Sequence, residues 1–177
     1  MRRTTVVPLA VAAVLLGAVP VSAAPAGPGN GTGTGRGWEP SPSAPWDVSA
    51  GVRCDFPVHG EPVVDEVVRR VLDTYPDGSV KRVAYKGDLV VRVTNTVSGA
   101  SYDADVSGTA VVDHRTDGSQ FWSALGPVLV GVGAGGGNLP RGLYIVDGKY
   151  TMDISATGYR TVDMTYGTQN DICARVA

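Results

Sequence analysis

Much of the chain from residue 80 onward is built of short runs in which apolar and polar positions take turns. Ser101 to Val106 sets Tyr102, Ala104 and Val106 against Ser101, Asp103 and Asp105, the two-residue period of a strand with one buried face. Leu89-Val90-Val91-Arg92-Val93-Thr94-Asn95 is another strand, ended by Ser98-Gly99, and Thr109 to Asp113 continues the sheet. Thr116-Asp117-Gly118-Ser119 turns the chain into Gln120 to Leu125. Leu143 to Val146 and Tyr150 to Ile154 flank Asp147-Gly148-Lys149, a short-hairpin signal. Ala156-Thr157-Gly158-Tyr159 leads to a further partner, Thr161 to Tyr166, before Ile172-Cys173. Turn signals at roughly every 8–12 residues are the spacing of an all-β sandwich or barrel.

One segment conflicts with this pattern. Val63, Val64, Val67, Val68, Val71 and Leu72 recur at near-helical spacing. Pro62 suits a first helical turn, with Asp65 and Glu66 early and Arg69 and Arg70 late. Against a short helix at 62–72 stands the density of β-branched valine. Pro76-Asp77-Gly78 also leads directly into Val80 to Tyr85, as in a hairpin. A strand from about Val67 to Thr74 is the expectation, with the helix as its alternative.

Composition divides the chain into parts. Arg2 and Arg3 precede an apolar run, Val6 to Val19, that is too short to span a bilayer and ends in Val21-Ser22-Ala23. Residues 1–23 are expected to be a signal peptide, with no stable membrane insertion after cleavage. Residues 24–47, rich in Gly, Pro, Ser and Thr, are expected to be a flexible linker, and 48–177 a single domain. Trp38 and Trp46 interrupt the linker; they either pack on the domain or dock a partner or cell-wall polymer. Charged residues make up 18% of the chain and the formal charge is −2. Nothing here has the electrostatic footprint of a nucleic-acid or anionic-lipid partner.

The chain has two cysteines, Cys54 and Cys173. In an exported protein they are expected to form one structural bridge across almost the whole domain, since the Cys-x-x-Cys of a redox pair is absent. The fold expected is all-β: a single antiparallel β-barrel-like domain, closed by a disulfide between its terminal strands. Cys54-Asp55-Phe56-Pro57, Val91 to Gly99 and Asp171-Ile172-Cys173-Ala174, together with the N-terminal apolar run, resemble small secreted proteins of actinobacteria. Those proteins carry a Cys-x-Phe-Pro start and an Asp-x-Cys end. The resemblance covers roughly residues 52 to 177. It implies a β-rich domain bridged near its termini and brings no established activity with it.

Candidate chemistry is sparse. Gly131, Gly133 and Gly136 match G-x-G-x-x-G, but Asn138-Leu139-Pro140-Arg141-Gly142 follows where a nucleotide site needs a helix. A flexible hairpin loop is expected, able to gate a barrel mouth. Asp103-Ala104-Asp105-Val106-Ser107-Gly108 imitates half a calcium loop, yet His114 stands where the closing Glu belongs. His59 and His114, with Asp113, would hold zinc only if the fold joined them. Ser119 and Ser123 lie near His114 without a nucleophile motif. No cofactor and no metal is expected. The aromatic residues either fill the interior or line a pocket, and Tyr85, Phe121, Trp122, Tyr144 and Tyr150 are the candidate ligand-lining set. A secreted, non-catalytic binding module is expected, taking a small ligand at the barrel mouth or an extracellular protein partner. A secreted hydrolase without a recognisable motif and a structural cell-envelope component are the alternatives.

Overall fold

Three hairpin tips of one geometry recur at forty-residue intervals, at Gly78, Gly118 and Gly158, with φ of 85°, 86° and 86°. In each, the glycine N–H donates three residues back, to Tyr75 O, Arg115 O and Ser155 O at 2.9, 3.1 and 2.9 Å. The residue after each glycine closes the turn through its carbonyl. This is the three-residue hairpin loop, which needs a left-handed residue at its last position. In the first two tips, Asp77 and Asp117 also accept the N–H and hydroxyl of Ser79 and Ser119. Those hydrogen bonds hold both carboxyls below the usual carboxylate range.

These tips sit in a computed structural model that describes residues 37–177. The signal peptide expected at 1–23 and residues 24–36 of the linker expected at 24–47 lie outside the described residues. The chain runs as a meander through β3 (Val58–Asp65), β4 (Val68–Thr74), β5 (Val80–Lys86), β6 (Leu89–Asn95), β7 (Ser101–Asp105), β8 (Thr109–His114), β9 (Gln120–Leu125), β10 (Val128–Val132), β11 (Gly142–Ile154) and β12 (Arg160–Asp171). Ahead of it lie β1 (Glu39–Pro40) and β2 (Trp46–Val48). The larger sheet has the order β1-β4-β5-β8-β9-β11-β10, with β12 also on β11; the smaller has β2-β3-β6-β7. No helix is present among the described residues, so none there could cross a membrane.

Successive strands change sheet at a corner. β3 passes into β4 at Glu66–Val67, β5 into β6 at Gly87–Asp88, and β7 into β8 at Val106–Gly108. Bends of this kind are how one strand serves two sheets. β11 and β12 bend without a break, at Gly148 and Gly167, which face each other across the ladder and share φ of 133°. Asp147-Gly148-Lys149 is thus a corner inside one strand and not the expected hairpin turn. Its glycine serves the bend.

The strand expected from about Val67 to Thr74 is present as β4, and the helix at 62–72 that stood as its alternative is not formed. Register shifts fall between Pro62 and Val64 and between Val71 and Asp73. Each bulge adds one residue and slips the alternation, so a two-residue period with two slips imitates a helical one.

Two cores result. The first gathers Val83, Val112, Val130, Val146, Tyr150 and Met152; the second gathers Cys54, Val58, Val93, Ile145, Ile172 and Val176. Gly142 to Val146 is buried on both faces, with Tyr144 and Val146 in one core and Leu143 and Ile145 in the other. A doubly buried strand reads as a continuous apolar run, as this one does.

The sheets do not close, so the expected barrel is corrected to two open, layered antiparallel sheets. β8 pairs β9, but their continuations β7 and β10 have no pairing with each other. Past the corner the meander parts into layers. The expected disulfide is present between Cys54, in the loop after β2, and Cys173, just after β12, with a Cα–Cα distance of 5.4 Å. It seals the edge of the second core instead of closing a barrel. Beside it, the buried Asn95 donates from Nδ2 to Val176 O at 3.0 Å while its Oδ1 accepts from Val97 N–H.

The end of the expected linker, from Trp38 to Asp47, is also structured. Glu39 and Pro40 pair with Arg69 and Val68 in the larger sheet, and Trp46 to Val48 pairs with β3 in the smaller. Ser41 N–H donates to Val67 O at 2.8 Å in between, so this segment straps the corner from outside. Gly60 leaves the space the Trp46 ring fills.

Candidate functional site

The outward face of the larger sheet carries a groove beside the corner. Register aligns Thr109, Leu125, Lys149 and Tyr166 in one row across β8, β9, β11 and β12. Ala84, Val111 and Ser123 form the next row. Three inter-strand steps make the first row about 14 Å long. The second row is short-chained, so it leaves a floor between taller neighbours. Trp38, brought in by the strap, and Lys86 complete the walls of a cavity of about 520 Å³, a volume typical of small-molecule sites.

Its walls are unusually apolar for a surface. Tyr166 is 59% exposed, Leu125 54% and Trp38 38%. Lys86 Nζ lies 4.5 Å from the Trp38 ring centroid and the Arg70 guanidinium 5.1 Å from it, both within cation–π range. The lining holds Lys86 and Lys149 and no acidic side chain, in a protein whose formal charge is −2. Stacking surfaces, hydroxyls of Thr109 and Ser123, and two ammonium groups can hold a ring that carries negative charge.

The five aromatic residues expected to line a site do not converge. Tyr85 packs against the first core and borders both this groove and a smaller cavity at the corner seam. Trp122 lines only the seam of the two, its Nε1–H donating to Gln120 Oε1 at 2.9 Å. Phe121 lies beneath the Arg115 guanidinium, 5.8 Å from its centroid. Tyr144 and Tyr150 are core residues, corrected from the ligand-lining set because both side chains are buried in the first core, Tyr144 where β11 is covered on both faces and Tyr150 on the inward face past the bend. Tyr144 donates its hydroxyl to Pro140 O at 3.1 Å. The Tyr150 hydroxyl has no partner among the described residues, and burial, followed by the Asp147 charge, pushes its pKa up. Since an unpaired buried hydroxyl costs its desolvation, Tyr150→Phe is expected to leave stability unchanged or raise it by up to about 1 kcal/mol in urea denaturation. A loss of that size instead would place a hydrogen-bonded buried water at this hydroxyl.

The other candidate residues are separated or already bonded. His59 is on the smaller sheet, 2.9 Å from Asp47 Oδ1, whereas His114 is on the larger. Asp113 holds Arg82, Asp103 holds Arg92, and Asp105 accepts from Ser107 N–H. Ser119 is bonded within its own turn, and Ser123 lies on the groove floor. Among the described residues no three His, Cys, Asp or Glu side chains converge on a metal position. The glycine run covers the edge of β12: Asn138 N–H donates to Arg160 O and Arg160 N–H to Gly136 O, both at 2.9 Å. No known family, curated protein or solved structure matches this chain.

Proposed function

We propose that this chain is a secreted, non-catalytic binding module that takes a small ring-bearing ligand, an acidic sugar foremost, in the groove on its larger sheet. The pairing of exposed aromatic walls, Trp38 and Tyr166, with two lysines over a short-chained floor carries this reading. Aromatic faces take the apolar side of a saccharide ring and lysines its carboxylate or phosphate. Export is supported by the Arg2–Arg3 and Val6–Val19 pattern and by a disulfide consistent with an oxidising compartment. A hydrolase would need a general acid and base facing one another, and the groove's lining offers lysines and hydroxyls.

The test is chemical-shift mapping of the secreted protein against a uronic-acid trisaccharide and its neutral counterpart. The acidic sugar is expected to move the amides of Val111, Ser123, Leu125 and Lys149, and to bind more tightly. Trp38→Ala and Tyr166→Ala are each expected to weaken it by roughly tenfold, or ~1.4 kcal/mol, with little change in melting temperature. Shifts confined to another surface, or none with either sugar, would remove the reading; a protein partner would then be the occupant to seek.

A further inference from the structure

Of the nine arginines among the described residues, five are ion-paired to carboxylates and two lie over aromatic rings. The remaining two, Arg53 and Arg160, meet at the glycine run. Arg53 lies along β10: a Cβ on Gly131 would stand 2.8 Å from its Nε, and one on Gly133 2.8 Å from its Nη1. These glycines are a bed for the guanidinium. Gly137, whose Cβ would stand 2.6 Å from Arg160 O, lets the returning arm of the loop pair with β12 and fix Arg160.

Both side chains are short of partners. The hydrogen bonds they make run to nearby carbonyls, from Arg53 Nη1 to Val52 O at 3.4 Å and from Arg160 Nη1 to Gly158 O at 3.2 Å. Burial, and after it the Arg160 charge, lowers the Arg53 pKa from its ordinary value. Neither guanidinium has a carboxylate partner among the described residues, and both residues contact the same glycine run, so an anion held there would supply the missing charge to each. The exposed crest of the loop, Ala134-Gly135, adds backbone at a left-handed glycine, φ 64°, the kind of turn in which N–H groups form an anion nest.

We propose that Arg53 and Arg160, set against the two arms of the Gly131–Asn138 loop, form a binding site for a tetrahedral oxyanion, a phosphate or sulfate group. The site shares no lining residue with the groove, so it stands whether or not the groove binds sugar. It also gives the glycine run a role that the nucleotide motif does not.

The experiment is a thermal melt of the full chain in phosphate and in chloride at equal ionic strength, beside Arg53→Gln and Arg160→Gln, with Arg175→Gln as control. Phosphate strengthens apolar burial in any protein, so the readout is the difference between variants. The expected result is a rise of several degrees in the parent and the control, cut by at least half in each of the other two. In chloride, Arg53→Gln is expected to melt no lower than the parent, because repulsion is relieved; a purely structural arginine would show a clear fall. Titration of the parent with inorganic phosphate is expected to move the Gly133 to Gly137 amides, and methyl phosphate to compete if the natural ligand is an ester. Equal phosphate responses in all four proteins, or unmoved loop amides, overturn the proposal.

Discussion

Replacing both Cys54 and Cys173 with alanine is expected to lower the unfolding free energy by about 3–5 kcal/mol, read as a fall in the urea midpoint. The cysteines are 119 residues apart. Loop-closure entropy assigns about 4.7 kcal/mol to a loop of roughly 100 residues, more than to short loops. The native state adds to this: Ile172 and Val176 are fully buried beside the bond, and Asn95 holds the last turn by Val176 O. A C-terminal turn released from Cys54 would expose both side chains to water. Reductant should reproduce the effect in the parent protein and change nothing in the alanine variant. A midpoint unmoved by reductant would mean that Asn95 and the apolar contacts suffice to hold the C-terminal segment.

Gly167→Ala is expected to be as damaging, by more than about 3 kcal/mol, and to leave little folded protein. At φ 133° an L side chain is strained, and the new Cβ would run into Asp147 O. Gly148 stands directly opposite under the same constraint, its Cβ directed at Tyr166 O. Neither strand can yield without moving the other, so relaxation is costly. Gly135→Ala separates strain from collision: it has φ 64° and open space, and should cost only about 1–2 kcal/mol. Circular-dichroism melts of the two variants make the comparison. Similar melting temperatures for both would show that the corner bends freely.

The local turns were legible from the sequence and the long-range consequences were not. Pro76-Asp77-Gly78 and Thr116-Asp117-Gly118 announce hairpin tips because the aspartate accepts from the following serine while the left-handed glycine donates to the carbonyl three residues back. Asp147-Gly148-Lys149 shares only the Asp-Gly pair, without the serine and with the glycine at φ 133°, and it has a different role. Whether such a glycine reverses a strand or bends it depends on Gly167, nineteen residues away and opposite it in the ladder. The 62–72 segment misleads for a related reason, since bulges at Val63 and Leu72 are set by the partner strands. The cysteine count predicted the bond, but not that the sheets would part between β7 and β10.

Much the same division holds for the groove. Aromatic counting singled out Tyr144 and Tyr150, which the inward-facing side of β11 claims for the first core. Trp38 was visible as an odd residue in a Gly/Pro-rich stretch. Lys86, Leu125, Lys149 and Tyr166 come from strands up to eighty residues apart, and only cross-strand register makes them neighbours.

The strap and the disulfide together give the domain a mechanical property. Tension between residue 37 and the C-terminus would peel β1 and β2 from their sheets, one short strand at a time. It would then reach Cys54 and pass through the sulfur–sulfur bond to Cys173, bypassing every strand of the meander. Of the described residues, only 37–53 and the last four lie outside that covalent loop, and their fully extended length is roughly 70 Å. Under load the protein therefore behaves as a short yielding leader in series with a locked body. The leader carries Trp38, so a pull on the N-terminal side would dismantle the groove's aromatic wall and strip Trp46 and Val48 from the second core while the first core stays intact.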